Sequence, residues 1–215
     1  MPDLWPFTLR HGDLELRPLQ RRDRRAYERL REHNRDWLEP WDVTDPHLGR
    51  LRPPFATLLR WSRDQARRGA GYSLVIVVDG RLAGQVSASP VLHGSISSAS
   101  VGYWVDRGVA GRGIAPRAVA LLIEHLLGAM GLHRVEVCIR PENTASLRVA
   151  QKLGLRDEGT RERYLHVDGA WRDHRCFAVT AEELTPGVQG VHPLVRLLQS
   201  DADADGPARR PHDVS

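Results

Sequence analysis

The sequence holds a single lysine, Lys152, so 30 of its 31 basic side chains are arginine. They stand among 27 acidic residues, and the net charge is only +4. A scattered excess of this kind is not the one-signed surface of a chain that tracks phosphates, so no direct nucleic-acid partner is expected. Cysteine is scarce too. Cys138 and Cys176 are too few for a disulfide scaffold and too far apart in sequence for a metal-binding pair. Both are expected to be free thiols in a reducing cytoplasm, with no metal bound. No apolar run is long enough to span a bilayer, and "MPDLWPFTLRHG" lacks the basic flank and apolar stretch of a secretory signal. No membrane partner is expected, and a monomer or weak dimer is the simplest state.

What is present fits one domain with a substantial core, since 215 residues is an ordinary domain length. "GDLELRPL" alternates like an entering strand, "RRDRRAYERLREH" reads as a charged amphipathic helix, and "FATLLRWSRDQARRG" as a second. Between them, "NRDWLEPWDVTDPHLGRLRPP" reads as a loop or short helical turn. "YSLVIVVDGRLAGQVSASPV" is two β-rich runs joined at "DG", a strong hairpin signal. "ISSASVGYWV" adds a strand, and the run from Ile114 to Met130 places apolar residues at helical spacing. "HRVEVCI" is a strand, "NTASLRVAQKLG" a short helix, and "LRDEGTRERYLHVDGAWRDHRCFAVT" two strands around "VDG". The order predicts a mixed α/β domain over residues 1–184. Residues 185–200 are expected to form an extension with a short helix, and 201–215, "DADADGPARRPHDVS", to be disordered.

The turn "VAGRGIAP", residues 109–116, separates a strand from the best helix of the chain. It is not a dinucleotide fingerprint, because Pro116 stands where the third glycine belongs. It is not a nucleoside-triphosphate loop either, because no Lys–Ser/Thr pair follows. Gly111 and Gly113 either only turn the chain or let unpaired N–H groups at the helix start approach an anion, with Arg112 adding charge. Pro116 fits the first helical turn, where an N–H is unpaired anyway. Asn143 either caps its helix or also pairs with an amide of an extended ligand, and Ser146 offers a hydroxyl one turn in.

Three segments, "VGYWVDRGVAGRGIA", "RPENTASLRVAQKLGLRDEG" and "YLHVDGAWRDH", resemble the GNAT superfamily of acyl-CoA-dependent N-acetyltransferases. With the early "NRDWLEPW" they resemble its Rim-type branch, which acetylates the N-terminal alanine or serine of ribosomal proteins. The likeness covers residues 12–181. It implies a mostly antiparallel sheet, flanked by helices and splayed between the strand ending near Val105 and the strand Val135 to Ile139. Acetyl-CoA would be the co-substrate and a protein or peptide N-terminus the acceptor. Tyr103, Trp104 and Val105 would line the pantetheine arm, and Gly111, Arg112, Gly113, Ile114 and Ala115 would hold the diphosphate. Asn143 would contact the arm, and Ser146 would protonate the departing thiolate.

Two departures stand out. Ser100 and Arg117 occupy positions where many relatives carry glutamate, which leaves the general base unassigned among water, backbone carbonyls, Glu162 and His166. Cys138, amid "VEVCI", reads as core packing rather than as a nucleophile. Trp37 and Trp41, set among acids, either receive an extended basic chain or pack the first helices onto the sheet. Direct transfer in a ternary complex is the expected mechanism. Acetylation of a small-molecule amine and a non-catalytic acetyl-CoA-binding domain are the alternatives.

Overall fold

In the computed structural model, residues 5–47, 53–185 and 191–204 are described. Eight strands form one sheet: β1 (Leu9–His11), β2 (Leu14–Pro18), β3 (Tyr72–Val78), β4 (Arg81–Leu92), β5 (Ser98–Val105), β6 (Arg134–Ile139), β7 (Arg156–Val167) and β8 (Ala170–Thr180). Their order across the sheet is β1-β2-β3-β4-β5-β6-β8-β7. Every neighbouring pair is antiparallel except β5 and β6. The β3–β4 hairpin turns where the sequence places it, with Asp79 and Gly80 both at positive φ, the geometry that matches strand twist.

The parallel pair defines the architecture. β5 and β6 are in register only at Ser98↔Arg134, Ala99↔Val135 and Ser100↔Glu136. Beyond that point they part. β5 continues to Val105 still paired to β4, and β6 continues to Ile139 paired to β8. The result is a wedge inside the sheet, in which the β5 backbone past Ser100 has no strand on its β6 side.

Helices cover both faces. α4 (Ile114–Leu127), α5 (Thr144–Lys152) and α7 (Pro193–Ala204) lie on one. Ala118, Val119, Leu122, Ile123 and Leu126 of α4 are fully buried there against Val86, Val101 and Val135. α4 stops at Gly128, short of the expected Met130. On the other face, α3 (Phe55–Arg67) packs Phe55 and Leu59 onto Val75 and Val77, with Tyr27 of α1 (Arg24–His33) alongside. α2 (Arg35–Leu38) and a 3-10 turn at Glu39–Trp41 fill the stretch read as a loop or helical turn. α6 (Ala181–Leu184) follows β8.

α7 docks rather than trailing. Leu194 and Leu198 are buried in the main core, and the ring of His11 bonds the Leu198 carbonyl at 2.7 Å. Gly154 makes room for it: at φ +64 a Cβ there would meet Pro193 Cγ at 2.7 Å. The helix runs on through Ala204, four residues into the stretch expected to be disordered. "DADA" follows a helix already anchored by two leucines, so propagation is cheaper than nucleation. Residues 205–215 lie outside those described.

Candidate active site

α4 begins where the glycine turn ends. Gly111 and Gly113 stand at φ +82 and +77, and a Cβ on either would meet nothing within 4 Å. The conformation requires glycine, and the space in front of the turn is open. The first helical bond runs from Arg117 N–H to the Gly113 carbonyl at 3.3 Å. Among the described residues, no acceptor takes the N–H groups of Gly111, Gly113, Ile114 or Ala115. Four unpaired donors at the positive end of a 14-residue helix make an anion cradle. Arg112 is exposed at its rim. Arg117 points elsewhere and bonds Asp13 at 2.7 Å.

The cradle is braced from an unexpected direction. Asn34, fully buried between α1 and α2, donates to Asp106 Oδ1 at 3.0 Å and accepts from the Arg107 N–H at 2.9 Å. Asp106 in turn accepts from the Gly108 N–H. The first helices are therefore tied to the end of β5. Nothing in "EHNRD" marks this asparagine from the sequence; only the fold shows it buried.

Across the wedge, Asn143 Oδ1 accepts from the Ser146 N–H at 3.1 Å and caps α5, so the capping reading holds for its carbonyl oxygen. Tyr103 comes from β5 and Ser146 from the helix after β6, and their hydroxyls lie beside each other where those strands have parted. Tyr103 Oη is buried, with the Ser146 hydroxyl as its neighbour. Burial pushes this phenol up to about 12, and the neighbouring Ser146 opposes the rise.

On the opposite face the next residue, Trp104, lines a cleft of about 850 Å³ with Tyr27, Arg31 and Gln85. The Arg31 guanidinium lies 4.9 Å over the Trp104 ring and bonds Asp42 at 2.6 Å. Tyr27 donates to Gln85 Oε1 at 2.8 Å. Acids also line the cleft, among them Glu28 and Glu32. Trp37 and Trp41 do not line it. Trp37 is 42 % exposed, and Trp41 lies under Arg140, which bonds the Pro40 carbonyl at 2.9 Å.

A carboxylate stands at the parting of the strands, directly across from Ser100. It is Glu136. Burial pushes its carboxyl up, but hydrogen bonds from Arg161 and Arg134 outweigh that and hold it below the usual carboxylate range. So held, it is a fixed negative charge and a weak base. Glu162 is exposed on β7, the outermost strand. His166 sits at the cleft margin with its ring on Thr44 at 2.7 Å. Cys138 and Cys176 face each other across β6 and β8 with sulfurs 3.0 Å apart, both free. Burial and the neighbouring thiol push Cys138 up, which does not suit a nucleophile.

The site thus has a cradle for an anion, an unpaired strand edge for an extended arm, two hydroxyls in a wedge and a separate cleft behind Trp104. Among the described residues no cluster could hold a metal ion. Comparison with known proteins gives the family. The acetyltransferase (GNAT) domain family matches residues 13–156. The chain is 28 % identical over 176 residues to a probable N-acetyltransferase, YjcK, of Bacillus subtilis (strain 168), covering 80 % of this chain and 96 % of that protein. It is 26 % identical over 156 residues to the [ribosomal protein uS5]-alanine N-acetyltransferase of Escherichia coli (strain K12), covering 72 % and 80 %. Among solved structures, Mycobacterium smegmatis RimJ in complex with CoA-disulfide superposes with a TM-score of 0.80 at 37 % identity, covering 91 % of this chain and 95 % of that one.

Proposed function

Because the chain belongs to the GNAT acetyltransferase family, we propose that it transfers acetyl from acetyl-CoA to the N-terminal α-amine of a protein, a ribosomal protein being the favoured class. One observation carries the reading: β5 serves two compartments at once. Tyr103 faces the wedge beside Ser146, while Trp104, the next residue, lines the cleft on the other side. An acyl donor and an acceptor can therefore reach the same strand from opposite faces, as direct transfer requires.

The residues present fit acetyl-CoA. The N–H groups of Gly111, Gly113, Ile114 and Ala115 suit its diphosphate. The unpaired β5 edge suits an extended amide-bearing arm. When bound, the group supplies an acetyl thioester that a neutral amine can attack. Trp104, Tyr27 and Arg31 would orient the acceptor, and Ser146 would stand near the leaving sulfur.

The cleft and the basicity of the amine support this acceptor class. At about 850 Å³ the cleft admits several residues of an extended chain, and its aromatic and acidic walls suit a basic peptide. With Glu136 held ionised, no strong base is evident. An α-amine, with a pKa of about 8 against about 10.4 for lysine, is partly neutral without one. The similarity to the [ribosomal protein uS5]-alanine N-acetyltransferase of E. coli supports a ribosomal-protein acceptor. A steady-state thiol-release screen across N-terminal peptides and small amines tests the reading. Release with peptides bearing a free α-amine supports it. Brisk release only with small amines would replace it by small-molecule acetylation. No release with any amine, alongside tight acetyl-CoA binding, would leave a binding domain.

A further inference from the structure

Beyond the register pair Ser100↔Glu136 the two halves of the sheet end in separate lips. β5 runs into Asp106, whose N–H still bonds the Ala83 carbonyl of β4 at 2.7 Å, and β6 runs into Arg140. Residues 34–44 reach both lips. At the first, the fully buried Asn34 donates to Asp106 Oδ1 at 3.0 Å and accepts from the Arg107 N–H at 2.9 Å. At the second, Arg140 donates to the Pro40 carbonyl at 2.9 Å and lies 5.4 Å over the Trp41 ring. Farther out, the Thr44 N–H bonds the His166 carbonyl of β7 at 2.9 Å. Between its ends the segment is continuously helical. The Leu38 N–H bonds the Asn34 carbonyl and the Asp42 N–H bonds the Leu38 carbonyl, both at 3.0 Å, and Leu38 is buried. Helical rise gives about 10–12 Å from Asn34 to Trp41. Two strand spacings are about 10 Å, the opening that one extended arm between β5 and β6 requires.

We propose that Asn34 and Arg140 are positioning residues, which anchor residues 34–41 as a strut that fixes the opening of the wedge. Asn34 holds the end of the strand that carries Trp104, and Arg140 stands just before the helix that carries Ser146. The proposal rests on the acetyl-transfer reading, in which thioester and amine meet between these two lips. A misplacement of about 1 Å there can cost about 100-fold in rate. A strut works only with both ends attached. Released at either end it no longer sets the gap, so releasing the other end does little further harm. Two residues on separate lips that merely supported their own surroundings would act independently. The strut also gives Trp41 a use, as the surface on which Arg140 lies.

A double-mutant cycle on turnover separates the two cases. Asn34→Ala, Arg140→Ala and the double variant are compared with wild type, using acetyl-CoA and a peptide with a free N-terminal alanine or serine, both saturating. Each single variant should lose about 10–100-fold in kcat. The double variant should fall within about threefold of the worse single one, where independent losses would multiply to about 100–10,000-fold. Hydrogen exchange gives a second readout that needs only Arg140→Ala and no turnover. The Arg107 N–H, on the opposite lip, is protected by Asn34. Releasing the Arg140 end should speed its exchange about three- to tenfold, while a local role for Arg140 would leave it unchanged. Multiplying losses, an unaltered kcat in Arg140→Ala, or unaltered exchange at Arg107 would each overturn the strut and leave acetyl transfer standing. Absence of wild-type turnover with every amine would instead overturn the acetyl-transfer reading, and the exchange measurement would still decide whether the strut exists.

Discussion

Replacing Gly113 should damage the protein in two separable ways. At φ +77 any L side chain meets its own backbone, which costs about 1–2 kcal/mol. For a chain of 215 residues that is a fall of about 2–8 °C in Tm. A Cβ at Gly113 meets no other atom within 4 Å, so no packing cost adds to the strain. The second effect is obstruction, because the open space is where the anion must approach the four N–H groups. Gly113→Ala should weaken acetyl-CoA binding several-fold, and the bulkier Gly113→Val by at least about tenfold. Gly80 supplies the control. It has φ +73 with nothing within 4 Å, but it turns the β3–β4 hairpin. Gly80→Ala should lose similar stability and keep wild-type affinity. Calorimetric titration of acetyl-CoA into the three variants, with thermal melts of each, decides the matter. Equal affinity losses at Gly80 and Gly113, or an unchanged affinity in a folded Gly113→Val, would refute the cradle.

Ser146→Ala should lower kcat about tenfold or more while acetyl-CoA affinity changes little, since its hydroxyl is expected to act as charge reaches sulfur; equal losses in both would make it a positioning residue. Trp104→Ala should raise the KM for a peptide acceptor and leave the KM for acetyl-CoA near wild type, because its ring lines the cleft with Arg31 over it; steady-state kinetics with each substrate varied checks this. Asp23 accepts from Arg17 Nη1 and Nη2 at 2.7 and 2.9 Å and from the Gln20 N–H at 2.8 Å. Burial alone would raise its pKa, and these bonds outweigh burial and lower it. Asp23→Asn should therefore cost about 1.5–3 kcal/mol at pH 7. A depressed folded pKa gives stability that is present above the unfolded carboxylate value and lost as pH falls through the folded one. The gap between wild type and variant, measured by denaturant melts, should narrow below about pH 4.

The elements that determine architecture were legible because each carries a local signal. Asp79–Gly80 dictates its hairpin by dihedral angle, and the spacing of Val119, Leu122, Ile123 and Leu126 dictates the buried face of α4. The glycine turn announced its backbone but not its freedom from neighbours, which depends on what packs nearby. β1, three residues long, has no periodicity to read and exists only because β2 offers it an edge. Asn34 and Glu136 look like surface residues in sequence; burial and the register Ser100↔Glu136 give them their places. Trp37 and Trp41 drew attention as aromatics among acids. The cleft instead uses Trp104, from a strand expected only to line the arm, because alternate strand residues face opposite sides of a sheet.

The measurement that bears most directly on the proposed activity uses one peptide carrying both a free N-terminal alanine or serine and an internal lysine. The protein and acetyl-CoA are added, and the acetyl group is located by tandem mass spectrometry. Acetyl transfer to the α-nitrogen, with the lysine untouched and no transfer by heat-unfolded protein, is the expected result. Acetylation of the lysine alone, or of neither amine beside rapid acetylation of a small amine, would contradict it.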